Sequence, residues 1–410
     1  MRPLTFIHAA DLHLDSPFKG MEANVPPVLF ERMKESTFRS FARVIDRAVQ
    51  ERVDFVVLSG DLYDAQTRSL RAQIFVRDQL RRLHDYSIPV YVIHGNHDHL
   101  GGNWAAIEFP DNVHIFTESY VERKPYYRDG ELMAYIYGFS YHQKAVTENM
   151  TNQYKKEKGA PFHIGLLHGS LDGNSEHGRY APFLLSELLE KNFDYWALGH
   201  IHKRSILSEQ PPIIYPGNIQ GRHRKETGEK GCYLVKLELE ASSQVFIPTA
   251  DILWNEIEVS IEGVHQADEL LERCYEAMNS VRRENEGVLV SLTFSGYGVM
   301  SPYLQDAREE LVHILQSGEE RENFVYIVKC NDKTLSRDTW EQMKKEHHFF
   351  GALLKEAEQF KEIDGILRPL WASSAARELE MFSAEEKQEI LKEAERIVIQ
   401  GLMAEEADKR

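Results

Sequence analysis

Five short segments of the sequence place carboxylate, imidazole and amide side chains where they could bind metal ions. Asp11 and His13 lie two residues apart in ADLHL, so both side chains point to the same side of an extended segment and can chelate one divalent ion. Asp61 in GDLYD has two carboxylate oxygens and can therefore bridge two cations. Asn96 in GNHD offers a neutral oxygen ligand. The segments GLLHG and GHIH add three imidazoles, those of His168, His200 and His202.

These five segments are more informative together than any one of them is alone. Each one alone has a structural explanation, because polar residues often end a strand and a histidine such as His168 can be packed in a core. However, every segment follows a short apolar run, so five independent coincidences would be needed for the structural explanation to hold. The set therefore predicts one shared site for divalent cations.

The elements that position these side chains are predicted to form an α/β domain. The apolar runs FIHAA, DFVVLSG, PVYVIHG, HIGLLHG and DYWALGH are typical of strands buried on both faces. Residues 38–51 and 70–83 have helical periodicity and lie between strands. In α/β sheets, ligands gather beyond the carboxyl ends of the strands, which is where all five segments lie. We therefore expect a single site at these strand ends.

The C-terminal part of the chain has no comparable group of ligand residues. Residues 254–330 alternate strand and helix patterns, from WNEIEVSI to FVYIVKC, which predicts a small α+β cap domain. Beyond it, two amphipathic helices are predicted to start near Asp338 and Ser383, each with a capping-box-like glutamate three residues later. The predicted division is a catalytic domain at 1–250, a cap domain at 251–335 and a helical partner-binding segment at 336–410.

The composition is that of an ordinary globular protein with more than one domain: 410 residues, 42% hydrophobic and 28% charged. No segment has the length or apolarity of a signal peptide or a membrane span. The three widely spaced cysteines exclude a disulfide framework and a CxxC zinc site, and they favour a reducing cytoplasm. Residues 251–410 carry 34 acidic and 19 basic side chains, a net charge of -15 out of -17. Such acidity argues against duplex binding by the whole chain, although the near-neutral first 250 residues weaken that objection.

The ordered series Asp-x-His, Gly-Asp-x-x-Asp, Gly-Asn-His-Asp, His and Gly-His-x-His resembles the calcineurin-like metallophosphoesterase superfamily over most of residues 1–225. The resemblance implies an α/β fold, a four-layer sandwich of two mixed sheets between helices, with a dinuclear metal site at the strand ends. It implies that one metal is held by Asp11, His13, Asp61 and His202. It implies that the other is held by Asp61, Asn96, His168 and His200, so that Asp61 bridges the two.

Two cations about 3.5 to 4 Å apart can lower the pKa of a bound water towards about 7, orient a phosphate and stabilise charge on the attacking and leaving oxygens. A metal-activated hydroxide is the expected nucleophile. His97 lies next to a ligand without being one, so it is the candidate for protonating the leaving oxygen, and the family assigns this histidine a catalytic role. Asp64 has two open interpretations: it orients His97, or it caps the helix that follows GDLYD. Asp98 is expected to be a supporting or turn residue.

Within the superfamily, ADLHLDSPF, LLHGS and YPGN resemble the nuclease subunit of the bacterial SbcCD complex and its archaeal and eukaryotic break-repair relatives, and most of all the YhaO branch. This resemblance implies a metal-dependent DNA exonuclease or endonuclease that uses two divalent ions, preferably manganese, although iron or zinc would fit the ligands. It also implies that a coiled-coil SMC-like ATPase is the partner of the C-terminal helices. Two other arrangements stay open, in which these helices fold back on their own chain or pair in a homodimer.

The substrate is less narrowly defined by the sequence than the metal site is. Four side chains near the motifs are candidate phosphate contacts, although a solvated loop would look the same: His99, Arg222, Arg224 and Lys225. A phosphatase or cyclic-nucleotide phosphodiesterase acting on small phosphoesters is the alternative to a nuclease, because the fold and metal site would be shared. A non-catalytic regulatory subunit is a second alternative, which the complete ligand set disfavours.

Overall fold

The computed structural model of the chain describes residues 2–64, 69–102, 105, 107–172, 180–239, 241–336, 390, 391 and 394. In chain order the first strands are β1 (Leu4–Ala9), β2 (Phe55–Ser59), β3 (Val90–Ile93), β4 (Val113–Ile115), β5 (Glu122–Arg128), β6 (Glu131–Gly138), β7 (Phe162–His168) and β8 (Tyr195–Gly199). The remaining strands are β9 (Ser205–Glu209), β10 (Pro212–Tyr215), β11 (Gly231–Leu237), β12 (Ser242–Pro248), β13 (Ile252–Ser260), β14 (Gly287–Ser295) and β15 (Val325–Asp332). The helices are α1 (Pro27–Glu51), α2 (Leu70–Asp85), α3 (Leu185–Glu190), α4 (Ala267–Val281) and α5 (Met300–Gln316).

Two six-stranded mixed sheets form the main part of the fold. The first has the order β12-β11-β1-β2-β3-β4, in which β1 to β4 are parallel and β11 pairs antiparallel with β1. The second has the order β5-β6-β7-β8-β10-β9, in which β6, β7, β8 and β10 are parallel. Strands that carry the ligand segments therefore occupy the centre of each sheet, where neighbours on both sides fix their position.

Apolar side chains bury the two sheets against each other. Phe6 of the first sheet packs edge-on against Tyr195 of the second, with ring centroids 5.2 Å apart, and stacks on Phe55 at 4.9 Å. On its other face the first sheet is covered by α1 and α2, and the second sheet packs against α3 and an aromatic group around Trp196. This arrangement confirms the four-layer α/β sandwich, since alternating side chains of each strand supply two separate cores.

The two helices predicted within residues 1–250 agree with the structure except at the start of α1. Helix α2 covers residues 70–85, close to the predicted 70–83, whereas α1 begins at Pro27 and not at residue 38. Pro27 suits the first turn of a helix, where its missing N–H is not needed. Leu29 and Met33 are buried one turn apart, so the helix extends towards its N-terminus as an amphipathic element that the pattern after residue 38 did not include.

Strands β13, β14 and β15 form a three-stranded sheet connected through α4 and α5, the strand-helix-strand-helix-strand order expected for residues 254–330. The described chain groups into two compact units. Among the described residues, one unit lies within 1–255, 281–290 and 318–328, and the other lies within 256–280 and 291–317 and from residue 329 onward. The division at 250 and 335 stays a prediction, and the predicted C-terminal helices lie almost wholly outside the described residues. Within the described part of the chain, no helix combines the length and apolarity needed to cross a membrane.

Candidate metal centre

The five ligand segments meet at the carboxyl ends of β1, β2, β3, β7 and β8. Asp11 follows β1, Asp61 follows β2 and Asn96 follows β3 in the first sheet. In the second sheet His168 is the last residue of β7, and His200 directly follows β8. Because the strands within each sheet run parallel here, their carboxyl ends lie side by side, as the sequence predicts.

Several of these residues have a backbone conformation that side chains disfavour. Asp11, Asp61 and His200 have φ angles of 53°, 53° and 100°, in the left-handed region that is unusual for residues other than glycine. Hydrogen bonds hold the turns in place: the Asp11 N–H donates to the Gly60 carbonyl at 3.1 Å, and the His13 N–H donates to the Asp61 carbonyl at 3.0 Å. Backbone strain of this kind persists where the surrounding structure fixes it and is concentrated at functional sites.

The first group of donors consists of Asp11, His13 and His202. The ligand atoms of these three side chains lie within 4.8 Å of one another. His13 Nε2 and His202 Nε2 are 3.0 Å apart, and both carboxylate oxygens of Asp11 accept a hydrogen bond from the His200 N–H at 3.1 Å. The sequence-predicted ligands of one metal are therefore gathered together.

The second group consists of Asn96, His168 and His200. Asn96 Oδ1 lies 3.0 Å from His168 Nε2 and 3.2 Å from His200 Nδ1. Asp61 Oδ2 lies between the two groups, 3.4 Å from His168 Nε2 and 3.7 Å from His13 Nε2. A single carboxylate oxygen near both sets of imidazoles is the placement expected of a bridging ligand.

The donor atoms suit divalent cations. Two ligand atoms about 2.1 Å from one cation and at right angles to each other lie about 3.0 Å apart, which matches the nitrogen and oxygen separations in both groups. His168 Nδ1 lies 2.9 Å from the Ser59 carbonyl and must donate to it, so in the neutral ring Nε2 carries a lone pair. Nitrogen and oxygen donors of this kind fit manganese, iron or zinc.

Burial and mutual charge strongly perturb the ionisation of the site. Burial alone would raise the pKa of Asp61, but His168 and His13 outweigh it and hold that pKa well below its ordinary value. Burial alone would lower the pKa of His168, but Asp61 raises it to about 9. Burial raises the pKa of Asp11 to about 6. A cation at these atoms would displace the His168 proton, so metal binding and proton release are coupled.

Comparison with known proteins identifies the family of the chain. Residues 4–204 match the calcineurin-like phosphoesterase family, and residues 254–335 match the middle domain of metallophosphoesterase YhaO. The chain is 42% identical over 402 residues to the uncharacterized metallophosphoesterase YhaO of Bacillus subtilis (strain 168), covering 96% of this chain and 97% of that protein. The chain belongs to the calcineurin-like metallophosphoesterases of the YhaO type. Its core activity is therefore metal-dependent hydrolysis of phosphoesters.

Two archaeal relatives are more distant. The DNA double-strand break repair protein Mre11 of Methanocaldococcus jannaschii is 28% identical over 290 residues, covering 66% of this chain and 74% of that protein. The protein of the same name from Thermoplasma acidophilum is 26% identical over 297 residues, covering 67% and 75%. This metallophosphoesterase is therefore also similar, at lower identity, to proteins outside the YhaO type.

His97 lies beside the metal ligands of this metallophosphoesterase. The centroids of the His97 and His13 rings are 4.9 Å apart. The backbone N–H of His97 donates a hydrogen bond to Asp61 Oδ1 at 2.9 Å. A nitrogen of His97, a carboxylate oxygen of Asp64 and a nitrogen of His13 lie within 4.8 Å of one another. The catalytic role of His97 stays a prediction. The structure places its side chain next to the predicted metal ligands.

Asp64 does not cap the helix that follows GDLYD. That helix, α2, is capped by Ser69, whose side chain accepts a hydrogen bond from the Ala72 N–H at 3.0 Å. Asp64 instead accepts a hydrogen bond from Arg222 Nη1 at 3.1 Å. The capping interpretation was therefore wrong, because it placed the helix start too close to the strand.

Asp98 supports the turns that carry the ligands. It is fully buried, and its carboxylate accepts hydrogen bonds from the backbone N–H groups of Asp61, Leu62 and Gly95 at 3.2, 2.8 and 2.6 Å. His94 Nδ1 lies 3.0 Å from the same carboxylate. Asp98 therefore ties the turn after β2 to the turn after β3, the supporting role expected of it.

The candidate phosphate contacts separate into two kinds. Arg222 is half-buried at the metal centre, with Nη2 3.4 Å from His202 Nδ1. Arg224 and Lys225 are exposed in the following loop, and His99 is half-buried in the turn after the GNHD segment. The structure thus brings Arg222 to the ligands, whereas the substrate roles of the other three stay predictions.

Sequence analysis did not identify Glu226 or Lys230. Glu226 Oε1 lies 2.7 Å from His202 Nδ1, and Lys230 Nζ donates to the His202 carbonyl at 3.0 Å. Burial alone would raise the pKa of Glu226, but the hydrogen bond and charge of His202, with Arg222, hold it well below its ordinary value. Both residues lie in a polar loop, RKETGEKG, where no apolar run or ligand spacing distinguishes them.

Proposed function

We propose that this metallophosphoesterase is a manganese-dependent DNA nuclease acting in DNA repair. The observation that carries the proposal is Arg222, a guanidinium held by Asp64 at 3.1 Å, with Nη2 3.4 Å from His202 Nδ1 of the first donor group. A guanidinium at that place suits an anionic phosphate of a polymer backbone. The relatives named as DNA double-strand break repair proteins support the same substrate class.

The residues of the site have distinct roles in this proposal. When bound, two divalent cations supply a water of lowered pKa and neutralise charge on the phosphate. Asp61, between both donor groups, keeps the two positions together. Arg222 orients the phosphate, and His97 donates a proton to the leaving oxygen, a contribution of about 10²- to 10⁴-fold to the rate.

The C-terminal helices extend the proposal to a partner. We propose that residues 338–403 dock the coiled-coil base of an SMC-like ATPase, because their predicted apolar stripes need a covering surface. A homodimer contact or packing on the same chain are the competing arrangements.

Substrate profiling tests the nuclease assignment. The purified chain, stripped of metal and reconstituted with Mn²⁺, is assayed on single-stranded DNA, duplex ends, hairpins, a small phosphodiester and a phosphomonoester. We expect cleavage of DNA and of the small diester, and no such cleavage by Asp61→Ala measured in parallel. Activity on the phosphomonoester without any on DNA would overturn the nuclease proposal while leaving the phosphoesterase assignment intact.

A further inference from the structure

Glu226 is a buried carboxylate outside the five ligand segments, and it contacts one of the predicted metal ligands. It is 7% exposed, and its Oε1 lies 2.7 Å from His202 Nδ1. Its other oxygen accepts hydrogen bonds from Asn218 Nδ2 at 3.0 Å and from the Arg222 N–H at 2.6 Å. Glu226 thus has a polar partner for each oxygen, and one of these partners is a ligand side chain.

The surroundings decide which atom carries the proton between Glu226 and His202. The Asn218 side-chain NH₂ and the Arg222 backbone N–H can only donate, and donors around a carboxylate stabilise its ionised form. An ionised carboxylate only accepts, so His202 Nδ1 must be the donor at 2.7 Å. Arg222 Nη2 also approaches Nδ1, but at 3.4 Å this contact is too long to compete.

We propose that Glu226 is a positioning residue that keeps the proton of His202 on Nδ1 and so leaves Nε2 with a free lone pair for the metal. Nε2 is the atom that lies 3.0 Å from His13 Nε2 in the first donor group. A carboxylate behind a metal-bound imidazole fixes both the tautomer and the direction of the ring. The inference rests on the metal centre and is independent of whether the substrate is DNA.

The backbone of His202 is held from the same side. Its carbonyl accepts hydrogen bonds from Lys230 Nζ at 3.0 Å and from the Asn218 N–H at 3.4 Å. Gly217, with φ 78°, passes so close that a Cβ there would lie 2.8 Å from the same carbonyl. The chain from residue 217 to 230 therefore fixes the main chain of His202, and Glu226 fixes its ring.

The variant Glu226→Gln separates positioning from simple filling of space. An amide has one oxygen and one NH₂ group, so it cannot accept from all three donors around Glu226, and when NH₂ faces His202 the proton moves to Nε2. We expect one of two Mn²⁺ ions to bind about 10- to 100-fold more weakly, measured by titration calorimetry and by electron paramagnetic resonance of free Mn²⁺. The second ion should keep its affinity, because the imidazole that Glu226 contacts, His202, belongs to the first donor group.

Asp54→Asn is the matched control. Asp54 is another nearly buried carboxylate, but it precedes β2, at the opposite end from the ligands, and pairs with Arg128. Removing its charge should leave both Mn²⁺ affinities unchanged. Unchanged Mn²⁺ binding in Glu226→Gln, or an equal loss in Asp54→Asn, would overturn the proposal.

Histidine tautomers give a second measurement, in which the wild-type protein itself tests the proposal. In metal-free wild-type protein labelled with ¹⁵N-histidine, the His202 signals are identified by their loss in His202→Gln. We expect wild-type His202 to carry its proton on Nδ1, and Glu226→Gln to shift it towards Nε2. An Nε2-protonated His202 in the wild type would overturn the proposal whatever the variant does.

Discussion

At the scale of single residues, Asp61 occupies the most demanding position of the centre. It is 1% exposed, it contacts imidazoles of both donor groups, and its other oxygen accepts the His97 N–H. A buried carboxylate without compensation would be protonated, so its low pKa depends on the surrounding imidazoles. Asp61 is thus the point at which loss of one side chain should affect both metal positions.

Asp61→Ala should abolish binding of both divalent ions, because it removes the carboxylate oxygen that lies 3.7 Å from His13 Nε2 and 3.4 Å from His168 Nε2. Metal content after reconstitution with Mn²⁺ and gel filtration measures the effect, and circular dichroism checks that the variant is folded. A variant that kept two tightly bound ions would show that Asp61 does not bridge.

His97→Ala should instead keep both ions and lose about 10²- to 10⁴-fold in turnover, since a proton donor acts on the leaving oxygen and not on the metal. The same metal analysis, together with kcat on a small phosphodiester, separates this variant from Asp61→Ala. If His97→Ala lost metal as completely as Asp61→Ala, His97 would be a ligand and the assignment would be wrong.

The sequence predicts the donor residues because each follows an apolar strand, and the strand ends bring them together. It does not predict Glu226 or the Asp64–Arg222 ion pair at 3.1 Å. Those contacts join residues 24 and 158 positions apart through loops, where no periodicity constrains the geometry. The local sequence pattern identifies the ligand residues at the strand ends. The residues that contact those ligands from distant loops are determined by the tertiary fold.

At the scale of elements, the turns after the strands control how closely the ligands approach. A Cβ at Gly95 would lie 2.3 Å from Asp61 Oδ1 and 2.6 Å from His168 Nε2. It would therefore clash with two of the side chains that are predicted to bind the cations. The glycine after β3 therefore has a steric role at the metal centre, distinct from any requirement for a left-handed backbone.

Gly95→Ala should displace Asp61 and His168 and lower activity by about 10²-fold, the effect of misplacing a reacting geometry by about 1 Å. Gly263→Ala is the control, since Gly263 has φ 70° and a Cβ added there would meet nothing within 4 Å, so it tests backbone strain alone. Metal affinity and kcat should fall in Gly95→Ala and stay at the wild-type level in Gly263→Ala. Equal losses in both variants would contradict the steric role.

The strands that carry ligands and the alternation of β13 to β15 with α4 and α5 follow from apolar periodicity. The order of strands does not, because β11 returns beside β1 from more than 220 residues along the chain. Nor does periodicity reveal that β5 and β9 are the antiparallel edges of the second sheet, which make that sheet mixed. Sheet order depends on long-range pairing, which a local pattern does not encode.

At the scale of the whole molecule, the metal-binding residues and most of the net negative charge lie in different parts of the chain. The donors of the metal centre all lie before residue 203, whereas residues 251–410 hold -15 of the net charge of -17. An acidic region repels a phosphate backbone, so we expect DNA contacts to come from the near-neutral first 250 residues. The acidic C-terminal region is better suited to a protein partner than to the substrate.

Truncation before Asp338 tests what the C-terminal segment does. If the segment only docks the coiled-coil ATPase, the shortened protein should stay in solution, bind two Mn²⁺ ions and cleave a small phosphodiester at the wild-type rate. It should lose co-purification with the co-expressed ATPase, because the predicted apolar stripes that would meet the coiled coil are gone. Sedimentation of both forms distinguishes a homodimer, which would dissociate on truncation. An insoluble or metal-free product would mean that residues 338–410 complete this chain's own core, and the stripes would then need no partner to cover them.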